Sequence, residues 1–352
     1  MLDIGLDWDD TLCPFNDIAI AMANEEYGTN LTLSDIDSWE NTGKASIIKK
    51  YYSDENLYRK QHISKDAIDF VNKLRKIANV HIITAVAPEF MGIRAKQILE
   101  SFPDFPKNNI IMGFQKNLIK LDILLDDGPH NILNTSANFP VLMRKPWNHD
   151  ITGVLAVNNY DEFMQLLRQI QYSLVEQNES IQKPFVMALV GPSGSNKNTL
   201  ASKLVETHPD VFSIPEAFST KENAKHHSYI SPEKFSNYTF IEKTMYGGYA
   251  YGTCSSSYSL ILNKGKFPVI PLDMCGAIAL KQYFPTKIIY CKRAKENIVA
   301  DIISDDGYDK KEKTLRILSI EAEKKNQKLC DYIIQTDDVN SAVDEIIKHI
   351  DL

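Results

Sequence analysis

Short apolar runs alternate with helical patterns along the first half of the chain. Six runs stand out: LDIGL (2–6), VHIITAV (80–86), NIIMGF (109–114), LDILLDD (121–127), PVLMRKP (140–146) and GVLAV (153–157). Apolar runs of this length between turn residues are typical of strands buried in a parallel sheet. Apolar positions at helical spacing occur within residues 56–77, and a further helix is predicted from Tyr160 to about Val175.

The same alternation restarts after a polar segment. EQNESIQKP (176–184) is polar and ends in proline, so we place a domain boundary there. The strand FVMALV (185–190), a glycine-containing loop and the helix TLASKLVETH (199–208) follow it. Further strands are predicted at FPVIPLDM (267–274), TKIIYCKR (286–293) and DYIIQT (331–336).

Alternating strands and helices predict an α/β fold in two domains, each built on a central, mostly parallel sheet. We assign residues 1–178 to the first domain and residues 184–352 to the second. A chain of 352 residues is long enough to bury two such cores.

Composition narrows the class of protein without identifying it. The net charge of −7 is spread along the chain with no run of Lys or Arg, so no nucleic-acid partner is expected. No apolar segment is long enough for a membrane span, and the start MLDIGLDWDD lacks the features of a signal peptide. The five cysteines form no CxxC pair and are expected to be reduced thiols. We expect a cytoplasmic protein, in the host cytoplasm if the source is viral, and a homodimer is compatible with the sequence.

The stretch DWDDTL follows the first predicted strand directly. In an open α/β sheet, ligands bind beyond the carboxyl ends of the strands, so Asp7 and Asp9 are expected to face that crevice. Two carboxylates at one place repel each other unless a cation lies between them, and Mg²⁺ prefers such oxygen ligands. One carboxylate can attack phosphorus, while the other protonates the leaving oxygen and then activates water.

DWDDTL resembles the first motif of the haloacid dehalogenase superfamily, D-x-D-x-T after a strand, and the other motifs follow in order. Thr84 ends the strand HIIT, Lys116 precedes LDILLDD, and Asp126 and Asp127 end that run. The resemblance implies a Rossmann-like parallel sheet with a small helical cap at about residues 13–65. It also implies phosphatase chemistry, with the predicted roles as follows: Asp7 as nucleophile, Asp9 as acid and base, and Thr84 and Lys116 as phosphate ligands.

Within that superfamily, KNLIKLDILLDDGPHN (116–131) and RKPWN (144–148) resemble the 5′(3′)-deoxyribonucleotidases. Those enzymes hydrolyse deoxynucleoside monophosphates and usually prefer pyrimidines. The resemblance implies an Mg²⁺ site formed by Asp7, Asp127 and the backbone carbonyl of Asp9, with Asp126 beside it. Two aromatic residues of the predicted cap are candidates for stacking on the base or, alternatively, for packing inside the cap: Phe15 and Trp39. Ala85 follows Thr84 where the family often has a hydroxyl.

GPSGSNKNTL (191–200) departs from the phosphate-loop pattern G-x-x-x-x-G-K-[ST] at two places. Asn196 replaces a glycine and Asn198 replaces the hydroxyl residue. Such loops bind phosphate through backbone N–H groups at a helix N-terminus, and asparagine adopts positive φ more readily than most residues. The order Lys-Asn-Thr is similar to the Lys-Gly-Thr of adenylate-kinase-like loops. We therefore predict an ATP site formed by Gly191, Gly194, Ser195, Asn196, Lys197, Asn198 and Thr199, with Mg²⁺ held partly through water.

Most of residues 184–352 resemble guanylate kinase. The matching segments are GPSGS, HPDVFSI, FIEKTMYGGYAYGT (240–253) and PLDMCG (271–276). The resemblance implies that four residues surround the acceptor nucleotide: Glu242, Tyr251, Thr253 and Asp273. Tyr229 would contact its phosphate, and Arg316 would neutralise charge on the transferring phosphoryl group. For Tyr251 and Glu242, packing within a surface hairpin is the alternative.

Three departures from guanylate kinase concern acceptor recognition. SIPEAFSTKEN (213–223) lacks the two arginines that grip the acceptor phosphate, and Pro215 replaces a serine that helps read guanine. The predicted lid, IVADIISDDGYDKKEK (298–313), lacks the expected arginines. Either this half phosphorylates a different monophosphate, which we favour, or it binds nucleotides without transferring phosphate.

These resemblances predict a bifunctional enzyme of the deoxynucleotide pool. Its first half would dephosphorylate one deoxynucleoside monophosphate, a pyrimidine such as dTMP or dUMP, and its second half would use ATP to phosphorylate a different one. The same nucleotide at both sites would consume ATP without a net product. Two alternatives are a deoxyribonucleotidase with a weakened, nucleotide-sensing kinase domain and a polynucleotide kinase/3′-phosphatase. The second is disfavoured by the acidic balance of the chain.

Overall fold

A computed structural model describes residues 1–175, 183–222, 224, 227–246 and 249–350. The chain separates into two compact units: the first comprises Met1–Ile151 and Leu155–Met164, and the second comprises Thr152–Val154 and Gln165–Leu352. Most of the predicted boundary segment 176–184 lies outside the described residues. The domain limits at 178 and 184 stay a prediction.

Six parallel strands form the sheet of the first unit. They are β1 (Asp3–Leu6), β2 (Asn79–Thr84), β3 (Ile110–Met112), β4 (Ile123–Asp126), β5 (Phe139–Met143) and β6 (Leu155–Val157). Their spatial order is β3-β2-β1-β4-β5-β6, the arrangement of a doubly wound sheet. Leu6 pairs with Ile82 on one side and with Leu125 on the other, so β1, β2 and β4 end at the same edge. The predicted α/β fold of this half is confirmed.

Five α-helices of the first unit accompany this sheet: α1 (Asn16–Tyr27), α2 (Glu55–Lys60), α3 (Lys65–Leu74), α4 (Met91–Ser101) and α5 (Pro129–Asn134). Helix α6 (Tyr160–Val175) begins in the first unit and continues into the second. In α3, Ala67, Phe70, Val71 and Leu74 turn one apolar face inward, and Ser64 caps the first turn by accepting from Ala67 N.

The segment between β1 and α3 has an apolar core of its own. It contains α1, α2 and a 3-10 helical stretch at Lys44–Ser53, and it corresponds to the predicted cap. Its core is formed largely by residues of these elements: Ala19, Ile20, Ala23, Ile48, Tyr51, Leu57 and Tyr58. The cap is therefore packed tightly enough to hold side chains over the carboxyl edge of the sheet.

Nine strands lie in the described residues of the second unit. They are β7 (Val186–Val190), β8 (Phe212–Ser213), β9 (Ala217–Ser219), β10 (His227–Tyr229), β11 (Glu242–Tyr246), β12 (Tyr249–Thr253), β13 (Phe267–Pro271), β14 (Thr286–Lys292) and β15 (Tyr332–Gln335). Five form a parallel sheet in the order β15-β14-β7-β13-β8, and four form a smaller sheet in the order β10-β9-β12-β11. The sequence patterns predicted the main strands of the parallel sheet but not the smaller sheet.

Besides α6, seven α-helices lie in the described residues of the second unit: α7 (Lys197–Thr207), α8 (Pro232–Ser236), α9 (Ser255–Leu262), α10 (Met274–Leu280), α11 (Lys295–Ser304), α12 (Lys310–Lys325) and α13 (Val339–His349). Helices α7 and α13 pack on the parallel sheet through Leu200, Leu204, Val343 and Ile346. Within the described ranges, no helix has both the length and the apolar character needed to cross a bilayer.

Candidate functional site

Three buried carboxylates meet at the carboxyl edge of the first sheet. Asp7 directly follows β1, Asp126 is the last residue of β4, and Asp127 comes next. One carboxylate oxygen from each of the three residues lies within 4.8 Å of those from the other two. Lys116 lies among them, and its Nζ donates to Asp7 Oδ1 at 2.6 Å and to Asp126 Oδ2 at 2.7 Å. The structure thus brings together four of the residues predicted for phosphate chemistry.

Burial and mutual repulsion disfavour negative charge in this group. Burial raises the pKa of Asp7 well above its usual range, and Lys116 opposes that rise. The pKa of Asp127 is raised to about 8, first by burial and then by Asp10 and Asp126. A set of three carboxylates with these shifts is stabilised by added positive charge, and its all-oxygen donors fit Mg²⁺.

Asp127 is held in place by residues of the RKPWN segment. Trp147 Nε1 donates to Asp127 Oδ2 at 2.9 Å, and Asn148 Nδ2 donates to the Asp127 carbonyl at 2.9 Å. Thr11 Oγ1 donates to Asp127 Oδ1 at 3.4 Å. This segment carried the family resemblance, but no role was predicted for Trp147 or Asn148, which orient the Asp127 carboxylate and its backbone in the structure.

The turn after β4 orients Asp126. Gly128 N donates to Asp126 Oδ1 at 2.8 Å, and Asn131 Nδ2 donates to both carboxylate oxygens at 3.0 and 3.1 Å. Together with Lys116, these donors satisfy a carboxylate that is fully buried. Residues of the DDGPHN stretch thus orient the carboxylate with which that stretch begins.

Asp9 lies outside the three-carboxylate group. Arg94 on α4 donates to Asp9 Oδ2 from Nη1 at 2.9 Å and to Oδ1 from Nη2 at 2.8 Å. Arg94 Nη1 also donates to Thr84 Oγ1 at 2.7 Å, and Gln61 Nε2 donates to Asp9 Oδ1 at 2.8 Å. The Asp9 carboxylate is therefore engaged elsewhere, and its backbone carbonyl as a metal ligand stays a prediction. Sequence reasoning missed Arg94 and Gln61, which belong to no motif.

The two aromatic candidates of the cap differ in their surroundings. Phe15 is partly buried, with its ring centroid 5.2 Å from that of Tyr52 and 5.7 Å from that of Tyr58. Trp39 is 45% exposed, and its ring lies 4.9 Å from that of His130 on α5. Phe15 thus has the packing role that the sequence left open, whereas Trp39 has an accessible face; base stacking stays a prediction for both.

In the second unit, three residues of the loop after β7 have positive φ. Gly191, Gly194 and Asn196 have φ values of 140°, 82° and 63°. Asn196 is thus in the left-handed region just before α7, as its replacement of glycine requires, and its Nδ2 donates to the Thr336 carbonyl at 2.8 Å. Lys197 Nζ donates to the carbonyls of Gly191 and Pro192 at 2.6 and 3.0 Å.

The remaining loop residues differ in exposure. Ser195 is fully buried, whereas Asn198 and Thr199 are exposed on the first turn of α7. The Thr199 side chain is therefore accessible two positions after the lysine, where the sequence placed the substitute hydroxyl.

Arg316 on α12 lies against the phosphate loop. Its Nη1 donates to Ser193 Oγ in the loop, and its Nη2 donates to Glu312 at 2.6 Å. The guanidinium carbon is 3.9 Å from the ring centroid of Tyr308, which belongs to the predicted lid. The arginine that the sequence named is therefore beside the predicted ATP site.

A buried carboxylate that the sequence analysis did not identify faces the same loop. Burial raises the pKa of Glu323 on α12 to about 7, and Lys197 and a hydrogen bond from Ser319 oppose that rise. Burial in turn lowers the pKa of Lys197, and Glu323 opposes that change. Glu323 thus interacts electrostatically with the loop lysine, from about two helical turns beyond Arg316.

The predicted acceptor residues cluster on β11, β12 and the start of α10. Glu242 and Thr253 face each other across the hairpin, and burial raises the pKa of Glu242 to about 7. Asp273 caps α10 by accepting from Gly276 N at 2.7 Å, and it also accepts from Thr244 Oγ1. Two acidic side chains therefore lie close together here, and Asp273 contributes to the raised pKa of buried Glu242.

Tyr251 and Tyr229 extend this group along the smaller sheet. Tyr251 is partly buried and pairs across the sheet with Ser219, which stands in the segment that lacks arginines. Tyr229 is 53% exposed on the outer strand β10. The structure therefore supplies hydroxyl groups, and not guanidinium groups, along this part of the sheet.

Comparisons with known proteins match the two halves of the chain to different families. The family model described as "5' nucleotidase, deoxy (Pyrimidine), cytosolic type C protein" matches residues 1–172, and the guanylate kinase family model matches residues 182–351. A 5′(3′)-deoxyribonucleotidase of Clostridium acetobutylicum is 32% identical over 140 residues, which cover 38% of this chain and 78% of that protein.

Two further relatives are matched over almost their full length. A 5′(3′)-deoxyribonucleotidase of Bacillus phage SPbeta is 26% identical over 175 residues, covering 47% of this chain and 97% of the relative. A guanylate kinase of Mycoplasmopsis pulmonis is 28% identical over 188 residues, covering 49% of this chain and 96% of the relative. The chain therefore belongs, through its first half, to the 5′(3′)-deoxyribonucleotidases, which are hydrolases. Its second half is similar to the guanylate kinases, which are nucleoside monophosphate kinases.

Proposed function

We propose that the chain is a bifunctional enzyme of the deoxynucleotide pool. Its first half removes the 5′-phosphate of a pyrimidine deoxynucleoside monophosphate, dTMP or dUMP, and its second half transfers phosphate from ATP to a different mononucleotide. The observation that carries the first activity is the convergence of Asp7, Asp126 and Asp127 around Lys116 at the mouth of the sheet.

The residues of the first site divide the work of phosphoryl transfer. Asp7 attacks phosphorus, and Lys116, which opposes the protonation of buried Asp7, binds the phosphate together with Thr84. Asp9 gives a proton to the leaving oxygen and later accepts one from water. Asp7, Asp127 and the Asp9 carbonyl, with Asp126 beside them, would hold Mg²⁺, which would supply positive charge to the phosphate oxygens.

Substrate selection in this half is assigned to the cap. Trp39 presents an accessible ring next to His130, and this supports a role in stacking on the base. Phe15 contributes from the inner side of the cap, where it packs against Tyr52 and Tyr58.

The second half binds ATP at the loop between β7 and α7. Backbone N–H groups around Asn196 receive the phosphates, and Lys197 exchanges its two carbonyl partners for phosphate oxygens. Arg316 neutralises charge on the transferring group. Glu242, Thr253 and Asp273 hold the acceptor base, and Tyr229 and Tyr251 contact its phosphate. ATP and Mg²⁺ are the cofactors of this half.

One specific observation favours a second candidate function for the kinase-like half. Ser219 and Lys221 stand in the segment where the family's arginines are absent, and the Ser219 hydroxyl accepts a hydrogen bond from Lys221 N. An acceptor phosphate would find little positive charge there. Under this candidate function, the half binds nucleotide without transfer and regulates the phosphatase.

A product profile with two reciprocal variants tests the proposal. The wild type, Asp7→Asn and Lys197→Met are incubated with each common and modified deoxynucleoside monophosphate, with and without ATP. We expect Asp7→Asn to lose phosphate release and keep diphosphate formation, and Lys197→Met to do the reverse. The activity that each variant keeps shows that the substitution has not unfolded the chain. Phosphate release that persists in Asp7→Asn would refute the first assignment, and ATP-responsive phosphatase activity without any diphosphate would favour nucleotide sensing.

A further inference from the structure

The side chain of Asp9 is surrounded by a rigid set of donors that no sequence motif contains. Arg94 is fully buried, and its two terminal nitrogens reach one carboxylate oxygen each, at 2.9 and 2.8 Å. This forked geometry is the strongest pairing that an arginine makes with a carboxylate, and it fixes the carboxylate plane as well as its position.

The same guanidinium connects Asp9 to a predicted phosphate ligand. Arg94 Nη1 donates to Thr84 Oγ1 at 2.7 Å, and Thr84 is itself fully buried at the end of β2. A buried positive charge is tolerated only when it is paired and hydrogen-bonded, and here Asp9 supplies the negative charge. Arg94 therefore sets the relative placement of the proposed acid/base and the proposed phosphate ligand.

Gln61 completes this set from the end of the cap. Gln61 directly follows α2 and is 6% exposed. Its Nε2 donates to Asp9 Oδ1 at 2.8 Å and to the Pro14 carbonyl at 3.2 Å. Its Oε1 accepts from Arg94 Nη2 at 3.1 Å. Asp9 Oδ1 thus accepts one hydrogen bond from Arg94 and one from Gln61, whereas Oδ2 accepts one from Arg94. The carboxylate keeps 21% of its side-chain surface exposed, so it is held without being sealed off.

We propose that Arg94, assisted by Gln61, is the positioning residue that orients Asp9 for proton transfer in the phosphatase reaction. This inference rests on the proposed function, in which Asp9 is the acid and base. In the first step, Asp7 forms a bond to phosphorus, the phosphorus–oxygen bond to the nucleoside breaks, and the Asp9 proton goes to the leaving oxygen. In the second step, water replaces Asp7 on phosphorus and gives a proton to Asp9.

A positioning role for Arg94 predicts a dependence on the leaving group that a structural role does not. A nucleoside alkoxide is a poor leaving group and needs the Asp9 proton as its bond breaks. p-Nitrophenolate leaves without a proton, so its first-turnover release does not require a correctly oriented Asp9. Loss of the fork would therefore slow cleavage of a deoxynucleotide while the first turnover of p-nitrophenyl phosphate continues.

The experiment compares Arg94→Lys with a matched surface variant in the full chain. Arg75 makes a similar fork to Asp104, at 3.0 and 3.2 Å, but the Asp104 side chain is 81% exposed and belongs to no site, so Arg75→Lys is the control. Rapid quench measures the first turnover of dTMP and of p-nitrophenyl phosphate. We expect Arg94→Lys to slow dTMP cleavage about 100-fold, while the p-nitrophenol burst stays close to wild type. Arg75→Lys should leave both rates unchanged.

Several results separate the inference from its alternatives. Equal losses for both substrates in Arg94→Lys, or no loss for either, would overturn the positioning role. If Arg94→Lys does not fold, as judged by circular dichroism, Gln61→Ala provides the second test, with a smaller loss of the same substrate-dependent kind expected and equal losses again contradicting it. A wild type inactive on both substrates would instead remove the proposed function, and the inference with it.

Discussion

Asn196 provides a quantitative test of how the altered phosphate loop is stabilised. Its φ of 63° lies in the left-handed region, which costs most non-glycine residues about 1–2 kcal/mol, and asparagine is one of the residues that tolerate it best. Its Nδ2 also donates to the Thr336 carbonyl at 2.8 Å, a bond worth about 1 kcal/mol. The side chain thus contributes in two separable ways.

Replacement of Asn196 by alanine or glycine separates these two contributions. Asn196→Ala loses the hydrogen bond and adds the backbone cost, so we expect the free energy of unfolding to fall by about 2 kcal/mol. Asn196→Gly loses the hydrogen bond alone and should lose about 1 kcal/mol. The expected order, with glycine more stable than alanine, is opposite to that of ordinary helix propensities.

The three tryptophans of the chain make the measurement selective. Trp8, Trp39 and Trp147 all lie in the first unit, so urea unfolding followed by tryptophan fluorescence reports that unit, and far-ultraviolet circular dichroism reports both. The variants should shift the circular dichroism transition of the second unit and leave the fluorescence transition unchanged. Asn198→Ala, at an exposed position of the same helix, is the control and should have little effect. Asn196→Ala at least as stable as Asn196→Gly would refute the reasoning.

Three further predictions concern the first unit. Trp147→Phe removes the hydrogen bond to Asp127 Oδ2 and should weaken Mg²⁺ activation of phosphate release about 10- to 100-fold in a metal titration; an unchanged titration would contradict this role. Lys116→Met leaves Asp7 and Asp126 without their buried cation and should destabilise the unit by about 3–5 kcal/mol at neutral pH, measured by fluorescence in urea. Because burial raises the pKa of Asp127 to about 8, the folded state binds its proton more tightly than the unfolded state does. Without metal, stability should therefore fall as the pH rises from about 4 to about 8, and Mg²⁺ should flatten that slope; a rise in stability over this window would contradict the shift.

The elements that the sequence predicted are those whose burial produces a clear pattern. Strands β1, β2 and β4 are buried on both faces, so they read as apolar runs, and Asp7 and Asp127 could be placed at one edge because parallel strands end together. The smaller sheet of the second unit was not predicted because strands such as β9 and β10 are only three residues long. Runs this short carry no periodicity that distinguishes a strand from a loop.

The residues that sequence reasoning missed act through tertiary contacts. Arg94 is an arginine on a helix, a residue type that is usually exposed, and only the folded structure shows it buried against Asp9. Glu323 likewise reads as one of several charged residues in EAEKK, although it is buried and faces Lys197. By contrast, the left-handed conformation of Asn196 could be predicted, because few residues can replace glycine at positive φ.

The central claim is that Asp7 takes the phosphoryl group from the substrate. Acid quench of the enzyme during turnover of dTMP in Mg²⁺, followed by peptide mass spectrometry, tests it directly. The account predicts a phosphorylated peptide that contains residue 7, absent from Asp7→Asn and lost on brief exposure to base. Steady release of phosphate with no modified protein under the same quench, or with the modification on another residue, would contradict it.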